Sequence, residues 1–128
     1  MNSIDFRREL HRHPELSFEE HRTQRFILDA LRAEGIECRE IATTGVLAKI
    51  EGERGNISRC VVLRADIDAL PIEEQNDVEY RSENQGVMHA CGHDMHAAVL
   101  FGVLQGFARN RDFEGTLICP QNQSIDIV

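Results

Sequence analysis

No two cysteines of this 128-residue chain stand at CxxC spacing, and Cys38, Cys60, Cys91 and Cys119 are too scattered to form a disulfide scaffold. A reduced, cytoplasmic protein is the simplest expectation. A basic stripe is missing too. The formal charge is −8, which argues against the electrostatic footprint of a nucleic-acid binder. Arg7, Arg8, Arg12, Arg22, Arg25 and Arg32 lie in predicted helices and alternate with acids, as on a solvated face. No apolar run approaches the length needed to cross a bilayer, so no membrane partner is expected. Met1 to Asp5 has neither the basic segment nor the apolar core of a secretory signal. Internal repeats, low-complexity tracts and domain linkers are also missing. With 41% hydrophobic and 28% charged residues, the composition is that of an ordinary globular domain able to bury its own core.

Hydrophobic spacing orders the chain. Ser3 can cap a first helix through Phe6 and Leu10 that ends before Pro14. Ser17-Phe18-Glu19-Glu20 has the capping-box pattern and predicts a second helix with Phe18, Ile27, Leu28 and Leu31 on its apolar side, stopped by Gly35. The period then shortens to that of strands at 36–41 and 46–50. Cys60 to Ala65 is nearly continuous apolar sequence, as expected of a strand buried on both faces. A third helix is predicted from Asp94 to about Ala108, and a last strand at 115–119. These elements point to an α/β layered domain, helix on sheet on helix.

Met88-His89-Ala90-Cys91-Gly92-His93-Asp94-Met95-His96 carries the densest chemistry. Imidazole nitrogen and thiolate sulfur are the ligands borderline-soft divalent ions select. The cluster sits where a loop enters a helix, and the N–H groups there favour a thiolate. Cys91 and His93 are the first choice as metal ligands. His89 and His96 serve equally well as ligands or as solvated helix-end residues. Asp66 and Asp68 follow the buried strand directly, so both should fall in the crevice beyond its carboxyl end, where α/β sheets form sites. Glu73-Glu74 reads as part of a solvated loop.

Three segments, Arg7-Arg8-Glu9-Leu10-His11-Arg12-His13-Pro14-Glu15-Leu16, Leu63 to Pro71 and Met88 to Asp94, occur in an order and spacing that resemble the M20 metallopeptidase superfamily. The likeness is to its amidohydrolase branch, the N-acyl-amino-acid, hippurate and indole-3-acetyl-amino-acid hydrolases. It extends from about residue 5 to Leu117. The resemblance implies a zinc-peptidase-like catalytic domain of three layers, of which this chain would be a truncated N-terminal part. It implies up to two divalent ions (Zn, Mn, Co or Ni), metal ligation by Cys91 and His93, and a supporting role for Asp68 behind a ligand. Asp66 stands where related peptidases have a ligating histidine. His11 to Glu15 reads as a helix-ending turn packed against the domain. The implied substrate is an N-acyl amino acid or small peptide, hydrolysed at its amide bond.

The sequence departs from that family after Gly115-Thr116-Leu117. A Q-P-x-E-E segment carrying the general-base glutamate and a ligating glutamate is expected there, but the chain continues Ile118-Cys119-Pro120-Gln121-Asn122-Gln123 without a Glu-Glu pair. Residues 1–118 are therefore expected to be catalytic-domain sequence, and 119–128 a divergent tail. With the general base absent, the expectation is an inactive chain from an amidohydrolase lineage. The alternative is a non-catalytic α/β remnant that binds metal weakly or not at all. Either would expose sheet edge and favour a homo-oligomer.

Overall fold

The computed structural model describes residues 1–56 and 58–123. In chain order the elements are α1 (Ser3–Arg12), α2 (His21–Ala33), β1 (Glu37–Ile41), β2 (Gly45–Glu51), β3 (Cys60–Val62), β4 (Ala65–Asp66), α3 (His93–Arg109) and β5 (Thr116–Asn122). The strands form one mixed sheet in the order β1-β2-β5-β3, with β4 also paired to β5. β1, β2 and β5 run antiparallel in sequence across the sheet, whereas β3 and β4 lie parallel to β5.

Inward positions follow the strand period of two. Val46, Ala48 and Ile50 stand opposite Gln121, Cys119 and Leu117, and all six side chains are buried. The apolar five join Phe6 and Leu10 of α1, Ile27 and Leu31 of α2, and Ala97, Phe101 and Leu104 of α3 in a single core. Phe6 stacks on Phe101 at 4.2 Å between ring centroids, nearly parallel, which fixes α1 against α3.

Local chemistry decides where the helices begin and end, and it corrects two expectations. The cap of α1 is Asn2, whose side-chain oxygen accepts the Asp5 N–H at 2.9 Å, in place of Ser3. The capping box at Ser17 does not form. Phe18 takes a left-handed φ of 66° and is exposed, so the chain cannot enter a helix there. Glu15 instead accepts the N–H groups of Arg22 and Thr23 at 3.1 and 2.6 Å, and the Thr23 hydroxyl at 2.7 Å. That carboxylate neutralises the start of α2 from upstream. The expected stop at Gly35 is present: φ is +71°, and the Ile36 N–H returns to the Leu31 carbonyl at 3.0 Å.

The third correction concerns the apolar run after Arg59. Cys60, Val61 and Val62 are exposed, because β3 has β5 on one side and no described strand on the other. Val61 pairs with Leu117 and shares its face, yet 54% of its surface is open. With Leu63, Phe107 and Phe113 it lines a groove of about 530 Å3.

Pro120 lies within β5, beside the break between β3 and β4. The Leu63 N–H donates to the Ile118 carbonyl at 3.0 Å, so the next ladder bond would need an N–H at residue 120. Proline has none, and pairing resumes only at Ala65. The expected boundary at residue 118 falls inside β5, and residues 124–128 of the expected divergent tail lie outside the described residues.

Candidate functional site

The loop after Met88 reaches α3 through Gly92, whose φ of +85° is the left-handed value a helix cap of this kind requires. His93 is the first residue of the helix. Its Nδ1 lies 3.0 Å from the Asp68 backbone oxygen and 3.1 Å from Asp68 Oδ1. Both atoms can accept, so Nδ1 carries a proton, and in the neutral ring Nε2 holds the lone pair. Asp68 is buried, at 3% side-chain exposure, and His93 nearly so at 11%. Asp68 and His93, from the two segments expected to converge, thus lie in contact. Asp66 turns away: its Oδ1 accepts Arg64 Nε at 3.1 Å on the exposed side.

Cys91 is exposed in the same loop. His96, one turn beyond His93, is exposed with its ring centroid 5.9 Å from that of His93. His89 goes the other way. It is buried, and neither ring nitrogen has a hydrogen-bond partner among the described residues. Burial drives its pKa down to about 4, outweighing the attraction of Asp94, so the ring is neutral. Among the described residues no three His, Cys, Asp or Glu side chains are grouped to hold a metal ion.

Behind this loop lies a charge cluster that local sequence reading missed. Asp94 Oδ2 accepts Arg7 Nε at 2.8 Å and faces His11 Nδ1 at 2.8 Å. His11 Nε2 lies 2.6 Å from Glu74 Oε1. Glu74 Oε2 also accepts the Ser82 N–H at 2.6 Å. His11, Glu74 and Asp94 are all buried, so the reading of Glu73-Glu74 as a solvated pair holds for exposed Glu73 and is overturned for Glu74. The Asp94 hydrogen bond, with Glu74 adding to it, holds the His11 pKa above the ordinary imidazole range against the effect of burial. Burial pushes both carboxyls upward, but the His11 hydrogen bond, joined by the Ser82 N–H at Glu74 and by Arg7 at Asp94, outweighs it, and both lie below the usual range. Tyr80 closes the outside, edge-on to His11 at 5.5 Å and under the Arg7 and Arg8 guanidinium groups at 5.1 Å each. One signal was legible: Arg7 and His11 are four apart, hence on one face of α1.

Residues 62–119 match the family model described as peptidase family M20/M25/M40. An N-acyl-L-amino acid amidohydrolase of Geobacillus stearothermophilus is 47% identical over 110 residues, covering 85% of this chain and 29% of that protein. An N-acetyl-L-cysteine deacetylase of Bacillus subtilis is 49% identical over 110 residues, covering 85% and 26%. Among solved structures, a dinuclear metal-binding peptidase of the M20 family from Bacillus subtilis superposes with a TM-score of 0.88 at 41% identity, over 93% of this chain and 34% of that one. The chain thus spans less than a third of the length of the curated relatives named here.

Proposed function

Because the chain belongs to the M20 peptidase family, we propose that it carries one half of a metal-dependent amidohydrolase centre, with Cys91 and His93 as two ligands and Asp68 as the group that orients His93. The observation supporting this most directly is the fixed His93 ring. Two Asp68 oxygens hold Nδ1–H, which leaves Nε2 as a basic donor in a set imidazole orientation. Cys91 is exposed two residues away and adds a soft donor. This nitrogen and sulfur pair suits Zn²⁺, Mn²⁺, Co²⁺ or Ni²⁺ but supplies too few ligands for a closed or catalytic site, so further ligands must come from elsewhere.

A bound divalent ion would polarise the scissile carbonyl and make water more acidic. The residues of this chain contribute orientation. Asp68 keeps the His93 proton on Nδ1, and the left-handed turn at Gly92 sets Cys91 just before the start of α3. The substrate class proposed from the relatives is an N-acyl amino acid, cleaved at its amide bond. Neither segment around the site supplies a free glutamate as general base. Hydrolysis by this chain alone would therefore fall by roughly 10²–10⁴-fold relative to a centre that has one.

Metal analysis of the purified chain tests the reading, with Cys91→Ala and His93→Ala beside it. Near-stoichiometric metal that is lost in both variants is the expected result. A metal-free wild type would remove the half-site reading. It would favour a second one, a non-catalytic α/β domain that self-associates, for which the exposed edge β3 is the supporting observation.

A further inference from the structure

His11 is flanked by carboxylate oxygens at both ring nitrogens, Asp94 Oδ2 at 2.8 Å from Nδ1 and Glu74 Oε1 at 2.6 Å from Nε2. An ionised carboxylate accepts hydrogen bonds and cannot donate. A neutral imidazole has one N–H, so one of these two contacts would press a lone pair against an anion. A doubly protonated ring satisfies both. Charge balance leads to the same state. Arg7 and a charged His11 neutralise Asp94 and Glu74, whereas a neutral ring would leave a net negative charge where His11, Glu74 and Asp94 are all buried.

The three partners come from three different segments. Arg7 and His11 lie on α1, Glu74 on the long loop before Cys91, and Asp94 on the first turn of α3 beside His93. One cation therefore joins the long loop upstream of the Cys91-Gly92-His93 turn, and the first turn of α3 just after it, to α1. We propose that His11 is a buried imidazolium that clamps this turn, and so acts as a positioning residue for the metal half-site. Its purpose, though not its geometry, rests on the half-site proposed above. The groups facing the ring are Arg7 from α1, Glu74, Tyr80 and His89 from the loop, and Asp94 from α3. Tyr80 lies edge-on and His89 is neutral, so the two carboxylates and Arg7 set the balance of charge.

Nuclear magnetic resonance on the full chain tests this with two readouts, the His11 ring nitrogens and amide exchange across Gly92 to His96. In the wild type both ring nitrogens should still carry protons at a pH where a free imidazole has already lost its second one. His11→Gln, which can donate to one carboxylate only, should speed exchange across the turn by about tenfold. Glu74→Gln removes one anion and keeps the shape. In that variant the ring should titrate lower, and protection of the turn should fall over the same pH interval. That coincidence is a readout that simple packing would not produce, and it decides the matter if His11→Gln fails to fold. A neutral wild-type ring at that pH, or turn exchange that ignores the ring's titration in Glu74→Gln, overturns the proposal. Cobalt titration of the same samples judges the metal reading separately, because both resonance readouts are made without metal.

Discussion

Two buried polar regions of this molecule have opposite balances. At the junction of α1, α3 and the long loop, Arg7, His11, Glu74 and Asp94 are joined by hydrogen bonds of 2.6 to 2.8 Å, and of their buried atoms Asp94 Oδ1 alone lacks a partner among the described residues. At the end of the sheet where β2 begins and β5 ends, Glu20, Gln121 and Gln123 are buried just as deeply. There the Thr44 hydroxyl donates to Glu20 Oε2 at 2.6 Å, but Glu20 Oε1, Gln123 Oε1 and both polar atoms of the Gln121 side chain have no partner among the described residues. Burial accordingly raises the Glu20 pKa, with the Thr44 bond opposing it, whereas Asp94 and Glu74 are held low. The contrast shows that burial alone does not fix the cost of a polar group. Its partners do.

The largest effect should come from breaking the paired region. Asp94→Ala strands Arg7 and His11 without their shared carboxylate, and urea denaturation should show a loss of about 3–5 kcal/mol. A loss under about 1 kcal/mol, the range of an exposed ion pair, would mean that this cluster is solvated in practice. The unpaired region should respond with the opposite sign. Gln121→Leu replaces an amide that has no partner with a side chain of similar size facing Val46 across the ladder, and should stabilise the fold by about 1–3 kcal/mol. Destabilisation by that substitution would show that the amide is satisfied in solution, and the comparison would collapse.

A smaller effect concerns pH. The folded His11 pKa is raised, so its contribution is complete below the unfolded value of about 6.5 and is lost as pH rises through the folded value. Asp94 and Glu74 are lowered, so theirs is present above about pH 4 and lost as pH falls. The stability difference between wild type and His11→Gln should therefore peak between those limits and shrink on both sides. Glu20 runs the other way from the paired carboxylates, because a raised carboxyl loses its contribution as pH rises. Denaturation midpoints measured across the range for wild type, His11→Gln and Glu20→Gln would separate the two signs. A pH-independent difference for His11→Gln would contradict the charged ring.

Much of this is legible in the sequence. The α/β class followed from the change of hydrophobic period, and α3 observed at His93–Arg109 agrees with a helix predicted to start at Asp94. The family followed from three short segments, and the contact of Asp68 with His93 fits the supporting role that the resemblance implied for Asp68. Where sequence reading failed, a different group had taken the role of the expected one. The Ser17 capping box lost to Glu15, a carboxylate that reaches the same N–H groups from upstream. Cys60 to Val62 reads as doubly buried because burial on a parallel sheet depends on what neighbours the strand, which the strand's own residues do not encode.

The sequence by itself therefore determined the thiol and imidazole proposed as ligands at Cys91 and His93, the periodicity of the core and the family, since each lies in residue types at short spacing. The tertiary structure alone decided which charges are buried together. Glu74 and Asp94 stand 63 and 83 residues from His11, and no local pattern distinguishes a carboxylate that will face a buried imidazole from its neighbour Glu73 in solvent. Electrostatic pairing acts through space at a few ångströms, so its partners are set by how the chain closes on itself.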